Sequence, residues 1–143
     1  MFDPQTWENG IVPFAGCNID IAPAITLIIP SYQLIIPLNE IQVPIGSTLQ
    51  IGTTTTSTFT FPKNINVNVF GNFNYAGSTG SIQLQSSTNL LFDTTAIYSG
   101  ADVTIIGTTT PILNLTNGIT LSSISVNSNG TPSVVTTSKS IFS

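Results

Sequence analysis

The chain has 143 residues, of which 41% are hydrophobic and only 6% charged, with a formal net charge of −4, one Cys and no His. A domain of that length buries something like 70% of the surface its unfolded form exposes, so one core is expected without metal or disulfide staples. Six acids stand against Lys63 and Lys139, which leaves no basic footprint for nucleic acid, and a lone Cys without His supplies neither a zinc set nor an internal disulfide.

An average domain is roughly 25% charged. Charge as sparse as this gives free monomers little mutual repulsion, and the composition points to a subunit covered by partners. Residues 1–22 are turn-rich, with Asp3-Pro4, Asn9-Gly10, Pro13 and Gly16, and carry the single Trp at Trp7. The opening "MFDPQTWENGIVPFAGC" contains Asp and Glu and lacks the basic, apolar, small-residue order of a secretory signal, so export by that route is not expected. Cys17 reads as a small buried hydrophobe.

The next stretch, "PAITLIIPSYQLIIPLNEIQVP", places Pro23, Pro30, Pro37 and Pro44 at seven-residue steps. A helix interior loses about 3 kcal/mol at each proline, so the segment is extended. Asp20, Gln33 and the prolines also break the apolar run from Ile19 to Pro37, and no membrane insertion is expected. Side chains alternate with period two along a strand, so a seven-residue unit in a straight strand would turn successive prolines to opposite faces. The chain must bend between units, each a short extended piece that starts near a proline. The same prolines guard a sticky stretch against edge-to-edge pairing.

We expect residues 1–44 to form an extended arm that docks on a partner and residues 45–143 a β-rich body. The docking residues are Trp7 as terminal anchor, the prolines at 23, 30, 37 and 44, and the triplets Leu27, Ile28, Ile29 and Leu34, Ile35, Ile36. The alternative for Trp7 is a cap on the end of the chain's own core.

From Ile45 onward, alternating strands recur in units starting at Thr48, Ile65, Ser81, Asp102 and Ile119, with Gly52, Gly71 and Gly107 at matching places. Repeats of this kind mark stacked architectures, and the β-branched content excludes helical ones. The run "GADVTIIGTTTPILNLTNGITLSSISVNSNG" resembles the coils of right-handed parallel β-helix proteins of the pectate-lyase-like kind. The resemblance implies an all-β solenoid with Ile, Val, Leu and Phe stacked inside and Thr and Asn at corners and outer faces, in which Val67, Val69, Ile82, Leu84, Val103 and Ile105 point into one stacked core. The alternative is an antiparallel β-sandwich or jelly roll, because "INVNVFGNFNYA" also reads as a hairpin turning at Gly71-Asn72.

Without His or Arg, the usual nucleophile-and-base sets cannot be assembled. Only carboxylate chemistry remains, with Asp93 and Asp102 as the candidate pair. Both sit in turn contexts, "FDTT" and "GAD", where Asp accepts backbone hydrogen bonds, and we expect no enzyme activity. Polysaccharide lyases of this shape would also want a basic residue and often calcium, and no acidic cluster offers a calcium site. Phe73, Tyr75 and Tyr98 could form a sugar-stacking strip, but aromatics on strands are expected in the core. The sequons at Asn114 and Asn129 matter only in a secreted eukaryotic protein.

An uncharged β-rich body, a proline-punctuated arm and no catalytic apparatus together resemble small structural proteins of virions, of the minor capsid, cement, fibre or spike type. That resemblance implies a virion location, a role in protein–protein assembly with other copies and other virion proteins, and no cofactor. The alternative function is a carbohydrate-binding or tailspike-like polysaccharide-cleaving module, with a glycan contact.

Overall fold

The computed structural model describes residues 5, 7–30, 34, 36–77, 80–85 and 87–100, the Asn9 side chain apart, and the strand residues between 103 and 142 as backbone. Short runs in which an apolar residue alternates with Thr, Asn or Gln make four-residue strands, because the apolar half can be buried while the polar half stays wet. In chain order these are β1 (Asn18–Asp20), β2 (Thr26–Ile29), β3 (Glu40–Val43), β4 (Thr48–Ile51), β5 (Thr58–Phe61), β6 (Asn66–Val69), β7 (Asn72–Tyr75), β8 (Gly80–Leu84), β9 (Asn89–Phe92) and β10 (Ile97–Gly100). They continue as β11 (Val103–Gly107), β12 (Ile112–Leu115), β13 (Thr120–Leu121), β14 (Ser123–Ser125), β15 (Ser133–Thr136) and β16 (Ile141–Phe142).

The strands wind as a right-handed parallel β-solenoid. Sheet A has the order β1-β3-β6-β9-β12-β15, sheet B β10-β7-β4-β2 and sheet C β14-β11-β8-β5, while β13 pairs with β16. Register in sheet A runs from Asn18 to Glu40, Asn66, Asn89, Ile112 and Ser133, so one coil takes between 21 and 26 residues and has three sides. All these pairings are parallel, which excludes the antiparallel sandwich. The hairpin reading of "INVNVFGNFNYA" fails because β6 and β7 lie in different sheets, with Phe70-Gly71 as the corner between them.

Apolar side chains stack in columns up the inside. Ile19, Ile41, Val67 and Leu90 form one column on sheet A, with Val43, Val69 and Phe92 beside them. On sheet B, Leu27, Leu49 and Phe73 stack below Tyr98, and Ile29, Ile51 and Tyr75 form the neighbouring column. Phe59 with Ile82 and Phe61 with Leu84 fill the side of sheet C. Edge-to-face contacts between Phe59 and Phe61 (5.1 Å) and between Phe73 and Phe92 (5.3 Å) fit aromatic rings into this interior. Of the core positions expected from the sequence, Val67, Val69, Ile82 and Leu84 are buried here. The side chains of Val103 and Ile105 lie outside the described residues, although the Ile105 backbone is in register with Ile82.

Two features of the sequence reading are corrected. The units starting at Thr48 and Ile65 are shorter than one coil, so the starts at Thr48, Ile65 and Ser81 fall on three different sides of it, only the unit from Ser81 returns to its own side at β11, and Gly52, Gly71 and Gly107 belong to different corners. Alternation was visible, but strands on all three sides alternate alike, and the period had to come from three sides summed. The arm over residues 1–44 is, from Asn18 onward, part of the solenoid: β1 and β2 belong to its first coil in sheets A and B, and β3 opens the second coil in sheet A.

The seven-residue proline spacing is one side of this first coil. Pro23 lies in the corner between β1 and β2, Pro30 directly follows β2, and Pro44 directly follows β3. Between Pro30 and Pro37, Leu34 is buried and donates its amide to Thr60 O at 3.1 Å, which aligns this side with β5 of sheet C. A residue that cannot donate to a ladder sits where each ladder ends.

Candidate functional site

The N-terminal segment closes the bottom of the solenoid. A 3-10 turn at Glu8–Gly10 places Trp7, half-buried, against the core, and Cys17 and Ile36 pack against the core too. The segment is tied to the next coil by Gly16 N donating to Pro37 O (2.8 Å) and Asn39 Nδ2 donating to Gly16 O (2.6 Å). Between this segment and the first coil runs an apolar groove of about 400 Å³, lined by Trp7, Ile11, Ile19, Ile21, Ile25 and Leu27 among others.

Of the residues expected to dock on a partner, Leu27, Ile29 and Leu34 are buried in the chain's own core. Strand alternation forces this, since a "LII" triplet on a coil side must turn at least one of its residues inward. Ile28 faces outward and is exposed, Pro23, Pro30 and Pro37 are exposed at corners, Pro44 and Ile36 are half-buried, and Ile35 lies outside the described residues. The sequence reading missed Ile11, Phe14 and Ile25. Their relative exposures of 63%, 63% and 51%, with 46% for Ile28, place four of the six exposed large hydrophobics described at the N-terminal end.

The outer faces carry polar ladders whose hydrogen bonds run along the solenoid axis. Thr58 meets Ser81 (3.0 Å), Thr60 donates to Gln83 (3.1 Å), Asn72 to Thr48 (3.3 Å) and Asn74 to Gln50 (3.1 Å). On sheet A the carboxylate of Glu40 is a hub: its Oε1 accepts from Gln42 Nε2 and from Asn68 Nδ2, each at 2.7 Å. Asp20 stands next to Gln42 in the same outer row, since the two are register partners.

At the corner from sheet A to sheet B the coils differ. The second coil uses residues 44–47 and the fourth 93–96, but the third turns with Phe70 and Gly71 alone. The short turn is held in by the Phe70 and Gly71 amides, both donating to Val43 O at 2.9 Å. Only glycine permits it, because a Cβ on Gly71 would collide with the carbonyl oxygens of Pro44 and Ser47. The step leaves an open groove of about 610 Å³ lined by Asp20, Gln42, Pro44, Ile45 and Phe70.

The chain matches no family model, no curated protein and no solved structure. Chemistry must therefore be read from its own side chains. Asp93 is a corner residue: its backbone carbonyl accepts from Ala96 N (3.0 Å) and its Oδ1 from the Thr94 hydroxyl (3.0 Å). Asp102 lies outside the described residues, as does the sequon at Asn129, and the Asn114 side chain is likewise not described. Among the described residues no group of three or more His, Cys, Asp or Glu could hold a metal ion, and no helix is long and apolar enough to cross a membrane.

The aromatic strip belongs to the core. Phe73 and Tyr75 are buried, and half-buried Tyr98 stacks on Phe73 at 6.3 Å between centroids. Tyr75 donates its hydroxyl to Thr56 O at 2.9 Å, and burial raises its pKa above the ordinary value of 10.0.

Proposed function

We propose that the chain is a structural subunit that works through protein–protein assembly, attached by its N-terminal end, and that it serves in a virus particle as a minor capsid, cement, fibre or spike component. The observation that carries the reading is the gathering of Ile11, Phe14, Ile25 and Ile28 at one end of a solenoid whose remaining described surface is mostly uncharged and polar. Apolar side chains grouped in this way mark contact sites. The nearby edges of β1 and β2 end their sheets and can extend into a partner. Polar ladders that satisfy one another along the axis support a rigid rod, and the reading includes no catalytic step.

Sedimentation of the wild-type protein beside an Ile11→Ser, Phe14→Ser double variant tests the attachment. The expected result is a concentration-dependent assembly for the wild type and a folded monomer for the variant, with the same circular dichroism. A wild type that stays monomeric at every concentration, alone and with copurifying proteins, would overturn it.

A further inference from the structure

The corner groove has a composition that suits a different partner from the N-terminal end. We propose that the groove of Asp20, Gln42, Pro44, Ile45 and Phe70 binds a neutral saccharide chain. Its apolar part is Pro44, the exposed Ile45 and half-buried Phe70, a surface on which the C–H face of a pyranose can lie. Its polar part is the exposed Asp20 carboxylate and the Gln42 amide, standing side by side in the outer row of sheet A. Carboxylate and amide oxygens accept hydrogen bonds from sugar hydroxyls, and an ionised carboxylate makes the stronger ones.

Gln42 is held in place before any ligand arrives. Its Nε2 is fixed on Glu40 Oε1, and the same oxygen is fixed by Asn68. The amide is planar, so Oε1 points away from Glu40. Orientation set in advance lowers the entropy lost on binding.

Charge selects neutral sugars over acidic ones. Asp20 and Glu40 sit on two adjacent strands of sheet A, and Lys63, the one cation among the described residues, is not among the groove's lining residues but lies in the corner that leads from β5 into β6, at the strand ends away from the Asp20 and Pro44 corner. An anionic glycan would face like charge with no counter-ion. The groove lies open at the surface across the first three coils, which suits a segment of a longer chain better than an enclosed small molecule.

The site does not depend on the assembly reading: none of Ile11, Phe14, Ile25 and Ile28 lines it, and of its five residues Asp20 alone also borders the N-terminal groove. Isothermal titration of the full chain with maltohexaose, cellohexaose, mannohexaose and laminarihexaose, and with polygalacturonate oligomers as the acidic comparison, tests it. At least one neutral hexaose should bind saturably, and Asp20→Ala and Gln42→Ala should each weaken it about tenfold or more with unchanged circular dichroism. Absence of binding to all four neutral probes, equal affinity in both variants, or tighter binding of the acidic oligomers would overturn the proposal.

Discussion

Tyr75 reaches out of sheet B to donate its hydroxyl to the carbonyl oxygen of Thr56 at 2.9 Å, across a corner built with Gly52, Gly77 and Gly80. A Cβ on Gly77 or Gly80 would run into the Tyr75 ring or hydroxyl and into nearby backbone oxygens, so the corner is shaped around this ring. Replacing Tyr75 with Phe keeps the ring and leaves a carbonyl without its partner. The expected loss is about 1–2 kcal/mol in urea unfolding.

The same hydroxyl gives a pH dependence. Burial raises the Tyr75 pKa above 10.0 in the folded chain, so the fold favours the neutral phenol. The contribution is fully present below pH 10 and is lost as pH rises through the folded-state pKa. Stability of the wild type should therefore fall above pH 10 more steeply than that of Tyr75→Phe, measured by thermal melts at matched ionic strength.

Glycines at two corners should respond differently. Gly71→Ala places a methyl against Pro44 O and Ser47 O and should destabilise by about 3 kcal/mol or more. Gly46→Ala meets no neighbour but carries a φ of +84°, and should cost only about 1 kcal/mol. Chemical denaturation of the two variants side by side checks the order.

Interior columns predict the largest single effects. Phe73→Ala removes a ring that touches Phe92 and Tyr98 and should cost about 3–5 kcal/mol. A charge at Val67 or Ile82, both fully buried, should prevent folding altogether at room temperature, read by circular dichroism.

Deleting residues 1–44 should unfold or aggregate the chain instead of freeing a folded body. The deletion removes β1, β2 and β3 and uncovers Leu49, Ile51, Val67 and Val69. A truncated protein with native circular dichroism and a cooperative melt would contradict the assignment of the first coil to the core.

How far this architecture can be read from the residues depends on where their chemistry is specific. Alternation in "INVNV" and "SIQLQ" marks buried Val67, Val69, Ile82 and Leu84 without ambiguity, because period two and β-branching agree there. The proline heptad showed that the chain must bend every seven residues, yet not that three bends close a coil. Closure depends on Asn18 meeting Glu40 and Leu34 meeting Thr60, and register between distant strands leaves no local mark. The corner groove was hidden for the same reason. Phe70-Gly71 is a short turn only by comparison with residues 44–47 and 93–96, a comparison that requires the coil length first.

The proposed role in a virus particle is tested most directly by copurification with intact particles, using wild-type protein and the Ile11→Ser, Phe14→Ser variant. The account predicts that the wild type stays with the particles through density-gradient sedimentation and that the folded variant is left at the top of the gradient. Wild-type protein found wholly in the soluble fraction, or a variant incorporated as fully as the wild type, would contradict it.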